Sequence, residues 1–190
     1  MKRPQRNLFI IMSVLMAVYL IATRLPFPIV AWLLGASLLA IAALCIWGRD
    51  FFLGRQLTRQ RKWQEAAKRY QRFETKLLAA PWRKLAIVLY FGIYTFDGVA
   101  LARNNVAQSL INLGDLDGAE QWLRRALQRD PMYAVPYLNL GVVAALRGDQ
   151  ARAAREMGKA VQLGFNPQDA QRLLRRTLAN ASESTDRTPH

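Results

Sequence analysis

The chain offers almost no reactive side chains. Its 190 residues include one cysteine, Cys45, and one histidine, His190. A lone thiol closes no intrachain disulfide, so cysteine usage says nothing about redox compartment, and Cys45 in its apolar surroundings reads as a small hydrophobe. A single histidine in a polar tail removes Ser-His-Asp triads, histidine metal sets and histidine general bases. Acidic residues are missing from the first 49 positions, since all 13 lie from Asp50 onward. From Leu8 to Trp47 the only charge is Arg24. The chain is thus an apolar head followed by a polar body.

The remaining candidates for chemistry are equally thin. Gly158-Lys159-Ala160 lacks the upstream glycine and the following Ser/Thr of a phosphate-binding loop. Asp115, Asp117 and Glu120 gather at a turn and a helix start, where carboxylates cap backbone N–H groups and complement the helix dipole. No catalytic residue, metal-ligand set, cofactor or small-molecule substrate is therefore expected, and the chain does not read as an enzyme.

Two apolar stretches fill the head, about 8–24 and 29–47, separated by Arg24-Leu25-Pro26-Phe27-Pro28. A membrane helix needs about 20 residues, with a range of ~17–25, to span ~30 Å of hydrocarbon. The second stretch meets this, and the first does so if its polar flanks are drawn in. The two prolines favour a tight turn. Residues 1–48 are accordingly expected to form a transmembrane helical hairpin. A signal peptide is the rival for the first stretch, given Lys2, Arg3 and Arg6, but no small-x-small cleavage pattern follows the apolar run. The Lys/Arg bias places both termini in the cytoplasm, giving a multi-pass inner-membrane protein as the expected location.

The net charge of +14 is concentrated next to the head. Between Arg49 and Lys84 eleven Lys/Arg face only Asp50, Glu65 and Glu74, whereas residues 97–190 are nearly balanced. Arg49, Arg55, Arg59, Arg61 and Lys62 are candidates for contact with anionic lipid headgroups, at ~1 kcal/mol per charge near the surface. The alternative is a solvated helix whose charges only set topology. Nucleic acid is not expected as a partner. Trp63, Tyr70 and Phe73 fall at spacings of seven and three, which makes a packing face rather than a set of stacking platforms. Leu85–Phe96 is free of charge but, at ~1.5 Å per residue, too short to span a bilayer. It reads as a buried helix, an interfacial one, or part of a third span.

From Ala100 the chain repeats itself at a period of 34. Ala107 falls on Gly141, Gly114-Asp115 on Gly148-Asp149, Ala119 on Ala153, Leu123 on Met157 and Ala126 on Ala160. Within 117–128 the residues Ala119, Trp122, Leu123, Ala126 and Leu127 form one helical stripe. Asp130-Pro131 stops one helix before the next begins. The spacing and residues of Ala100–Tyr133 and Ala134–Pro167 resemble the tetratricopeptide repeat, a helix–turn–helix unit of 34 residues. Arg103 departs from the resemblance, standing where a large aromatic is usual. Leu53-Gly54, Ala66 and Tyr70 mirror Leu140-Gly141, Ala153 and Met157, so residues 49–99 are expected to hold a degenerate repeat and the apolar helix. Residues 100–179 are expected to hold the repeats and a capping helix, and 180–190 a disordered tail.

The expected fold class is all-α, a transmembrane hairpin followed by a short α-solenoid. The resemblance implies a groove lined by the first helix of each unit, here Asn104, Asn105, Gln108 and Asn112, then Leu138, Asn139, Val142 and Leu146. Such a groove takes a segment or helix of another protein. The cations that some relatives use to clamp a terminal carboxylate are missing from it. The function so implied is a membrane-anchored scaffold for a protein partner. The alternative is a structural subunit packed laterally in a larger membrane complex.

Overall fold

The computed structural model describes residues 3–22, 48–79, 95 and 97–172, with isolated positions between 29 and 46 and residue 175. All secondary structure among them is helical. The helices are α1 (Arg3–Ala22), α2 (Arg49–Arg59), α3 (Trp63–Ala79), α4 (Gly98–Asn112), α5 (Leu116–Arg129), α6 (Ala134–Leu146) and α7 (Gln150–Gln162).

From α2 onward each helix packs on the next, and α4 also touches α6. Helical hairpins stacked side by side give this pattern, and the helical repeat has the general character of an α-solenoid. One turn geometry recurs. After α2, α4, α6 and α7 the residues Arg61, Gly114, Gly148 and Gly164 adopt positive φ, between 59° and 104°. Following them, Lys62 N–H donates to Leu57 O, Asp115 to Leu110 O, Asp149 to Ala144 O and Phe165 to Ala160 O. This is the Schellman closure, which satisfies carbonyls left over at a helix end and places its central residue in the left-handed region. Glycine adopts that region freely. Arg61 does so at a cost of about 1 kcal/mol.

The second helices of the two regular hairpins, α5 and α7, then start on capped ends. The Asp115 carboxylate accepts from Gly118 N–H at 2.9 Å and Asp149 from Arg152 N–H at 2.9 Å. Asp97 does the same for α4, accepting from Val99 and Ala100 N–H. Small residues set the helix spacing. A Cβ on Gly141 would lie 2.7 Å from Met157 Cγ, and one on Gly54 would lie 2.8 Å from the Tyr70 ring. In both hairpins the partner stands sixteen positions downstream of the glycine.

Two apolar clusters carry most of the core. Phe51, Ala66, Tyr70, Phe73 and Leu77 meet Val99, Ala102 and Val106, joining α2 and α3 to α4. Ala107, Ile111, Ala119 and Leu123 meet Leu140, Val142 and Val143, joining α4 and α5 to α6. Residues 49–79 thus pack as an integral helix pair on the next one. Arg103 fits because its Nε donates to Glu74 Oε1 of α3 at 2.6 Å and its Nη1 to Arg125 O of α5 at 3.0 Å. The guanidinium stitches together the helices flanking α4.

The head departs from expectation. Among the described residues no helix is long and apolar enough to cross a membrane, which overturns the expectation of a multi-pass inner-membrane protein with both termini cytoplasmic. The physical reason lies in α1. It opens on Arg3, Gln5, Arg6 and Asn7 and ends at Ala22. Its apolar run from Leu8 therefore covers only about 22 Å at ~1.5 Å per residue, against ~30 Å of hydrocarbon. The transmembrane hairpin is thus without support. The second expected span at 29–47, apart from isolated positions, the apolar run 85–96, apart from Thr95, and the tail 180–190 lie outside the described residues.

Candidate functional site

The eight residues expected to line a groove fall into two groups. Asn104, Leu138, Asn139 and Val142 are buried, each at most 4% exposed. Asn139 Nδ2 donates to Asn104 Oδ1 at 2.9 Å, a polar clasp between α4 and α6 inside the stack. Leu138 packs with Ala160 and Ala170, flanked by Tyr137, Met157 and Phe165. Val142 belongs to the cluster around Leu123, and Leu146 lies half-buried against it. The other group is on α4. Asn105 is half-buried, while Gln108 and Asn112 are exposed. Spaced by three and four, they share one helix face. Asn112 Nδ2 donates to Gln108 O at 2.8 Å.

The strongest electrostatic feature was not anticipated from the sequence. Glu120 on α5 accepts from Arg124 on its own helix, from Arg147 at the end of α6 and from Arg152 on α7. Arg147 also reaches Asp117. The hydrogen bond from Arg152 outweighs the opposing effect of burial and, with Arg147 and Arg124, lowers the Glu120 pKa from 4.5 to about 2. The same bond raises the Arg152 pKa. Charges from three helices thereby tie the two regular hairpins together. A carboxylate depressed in this way stabilises the fold fully above its unfolded pKa and loses that contribution as pH falls. Unfolding free energy measured by urea titration is expected to drop between pH 4.5 and about 2. The share due to Glu120 is about 1–2 kcal/mol, because solvent screens part of the attraction. In Glu120→Gln the slope across this window becomes shallower. What remains belongs partly to Asp50. Burial works to raise its pKa, but hydrogen bonds from Lys76 and Arg69 prevail and lower it.

The five residues considered for headgroup contact, Arg49, Arg55, Arg59, Arg61 and Lys62, are all exposed. The acids that could neutralise them are largely engaged elsewhere, Asp50 with Arg69 and Lys76 and Glu74 with Arg103. A separate open cleft of about 380 Å³ is lined by Arg124, Leu127, Gln128, Tyr137, Leu140, Glu156 and Lys159. There Lys159 Nζ lies 5.6 Å from the Tyr137 ring centroid and 3.7 Å from Glu156 Oε2, an oxygen without a hydrogen bond. Among the described residues no three His, Cys, Asp or Glu side chains converge to hold a metal ion.

No family model matches the chain, and no curated protein matches it significantly.

Proposed function

We propose that the chain is a small tetratricopeptide-type scaffold that binds another protein. The observation that carries this reading is the recurrence of one helix-pair design. The same left-handed turn closes the hairpins, and a small residue seats the second helix sixteen positions on. Repeats of this kind need about three units to be stable, and the α2–α3 pair supplies one beside the two regular pairs. Such stacks act by presenting a surface rather than by making bonds. The face of α4 with Asn105, Gln108 and Asn112 presents amides that can pair with an extended backbone. The proposal concerns the helical stack alone and includes no membrane span.

A photo-crosslinking residue placed at Gln108 or Asn112 is expected to trap one discrete partner. The same residue at Arg155, exposed on α7, is expected to trap none. Asn105→Arg combined with Gln108→Glu should weaken that partner at least tenfold with little effect on stability. Equal trapping from both faces would remove the α4 surface as the site.

A second reading has its own support. On α1 the side chains Phe9, Met12, Met16 and Tyr19 are each at least 58% exposed, an apolar surface fitted to lateral packing in a larger assembly. Deleting residues 98–172 would leave such an association intact, whereas the scaffold reading requires its loss.

A further inference from the structure

We propose that the turn joining α2 to α3 is a docking tip for an anionic lipid surface, with Arg59, Arg61 and Lys62 meeting headgroup phosphates. This inference stands apart from the protein-binding face on α4 and involves no segment that enters the bilayer core.

Seven positions after Gly141 comes Gly148, and seven after Gly54 comes Arg61. Both close their helices with the same pair of backbone hydrogen bonds: Arg61 N–H to Thr58 O and Lys62 N–H to Leu57 O match Gly148 N–H to Ala145 O and Asp149 N–H to Ala144 O. Yet the chemistry at the two positions differs. The regular hairpins carry Gly-Asp, where glycine takes φ near +80° without strain and aspartate caps the next helix. The first hairpin carries Arg-Lys. Arginine takes φ of 59° against its preference, and lysine brings positive charge to a helix start where a carboxylate would stabilise. Both residues are locally unfavourable, both are cationic, and neither forms an ion pair among the described residues. Strained positions of this kind persist where another requirement holds them.

The setting of the charges selects the partner. Arg59, Arg61 and Lys62 lie exposed together on the turn, and none of them lines the cleft formed by Arg124, Tyr137 and Lys159. Tyr70 and Phe73 are buried, and Trp63 beside Lys62 is half-buried, an indole placed as aromatics are at a membrane–water interface. A lipid surface offers diffuse negative charge and asks for no pocket. Arg55, one helical turn before Arg59, extends the same charge along α2.

The test is vesicle co-sedimentation of the full chain with phosphatidylcholine alone and with added phosphatidylglycerol. The double variant Arg61→Gly/Lys62→Asp restores the Gly-Asp turn of the other hairpins. It is expected to melt at a higher temperature than the parent while its partitioning onto phosphatidylglycerol vesicles falls tens of fold. Binding to phosphatidylcholine alone should not change. Arg59→Gln, which leaves the turn as it is, should lower partitioning about fivefold without altering the melting temperature. High salt should abolish the difference between the two vesicle types. The proposal is overturned if the double variant keeps its affinity for phosphatidylglycerol vesicles, loses both vesicle types equally, or melts lower than the parent. Tighter binding to poly-glutamate or to duplex DNA at matched charge would likewise overturn it, assigning the tip to a protein or a nucleic acid.

Discussion

Truncating Leu123 to alanine is expected to lower the unfolding free energy by about 3–4 kcal/mol, a large part of the ~5–15 kcal/mol that holds a domain together. Leu123 is fully buried and touches the cluster built from Ala107 and Ile111 of α4, Ala119 of its own helix, and Leu140, Val142 and Val143 of α6. Three helices therefore converge on one side chain. Asp97 and Asp115 cap the starts of α4 and α5, and left-handed turns close α4 and α6, so the helices can close only part of the space the leucine leaves. Leu127→Ala is the control, since Leu127 only borders the same cluster and should lose about 1–1.5 kcal/mol. Stability in a stack of hairpins is roughly a sum of unit and neighbour terms, so the loss should concentrate at the junction of α5 and α6. Urea titration gives the total. Hydrogen exchange should show that amides of α6 and α7 lose protection before those of α3 and α4. A loss below about 1.5 kcal/mol would mean that the junction is held elsewhere, with the Glu120 network as the remaining candidate.

The period of 34 made the α4–α7 hairpins legible because glycine, alanine and aspartate each answer to a local need: a left-handed turn, a close helix approach, a capped N–H. Such needs leave marks at fixed offsets along one strand of text. Contacts between hairpins leave none. Periodicity pairs Asn105 with Asn139, being 34 apart, yet the hydrogen bond joins Asn104 to Asn139, because adjacent helices meet with a residue of slip. Arg103 read as a departure from the pattern, and only the fold reveals that Glu74 of another helix receives it. Glu120 looked like a capping acid beside Asp115. Its three arginine partners come from α5, the end of α6 and α7, and no spacing rule brings them together. The Arg61 turn could be located from the sequence through Gly54, but its strain shows only in the backbone angle. The head misled for a different reason. Apolar composition measures what a segment could span, whereas the length of the helix that forms is what decides. In α1 the polar residues Arg3 to Asn7 belong to the helix and shorten its apolar part.

The Asn104–Asn139 clasp gives the second large effect, and it separates architecture from binding. Asn139→Leu removes the donor and leaves Asn104 Oδ1 buried without one, at 3% exposure for its residue. The expected loss is about 2–3 kcal/mol, the cost of desolvating an acceptor that water cannot reach. Asn104→Leu should cost a similar amount by stranding the Asn139 amide. The double variant Asn104→Leu/Asn139→Leu is expected to recover most of this, because two apolar side chains of similar volume bury against one another with nothing left unpaired. The cycle should therefore show a favourable coupling of about 2 kcal/mol or more, read by urea titration of the four proteins. Additive losses would show that the two amides do not depend on one another. If the double variant regains stability and still yields the crosslinked partner from Gln108, the clasp serves packing, and recognition rests on the outer face of α4. If it regains stability but yields no crosslink, the buried amides set the spacing of α4 and α6 that the partner requires.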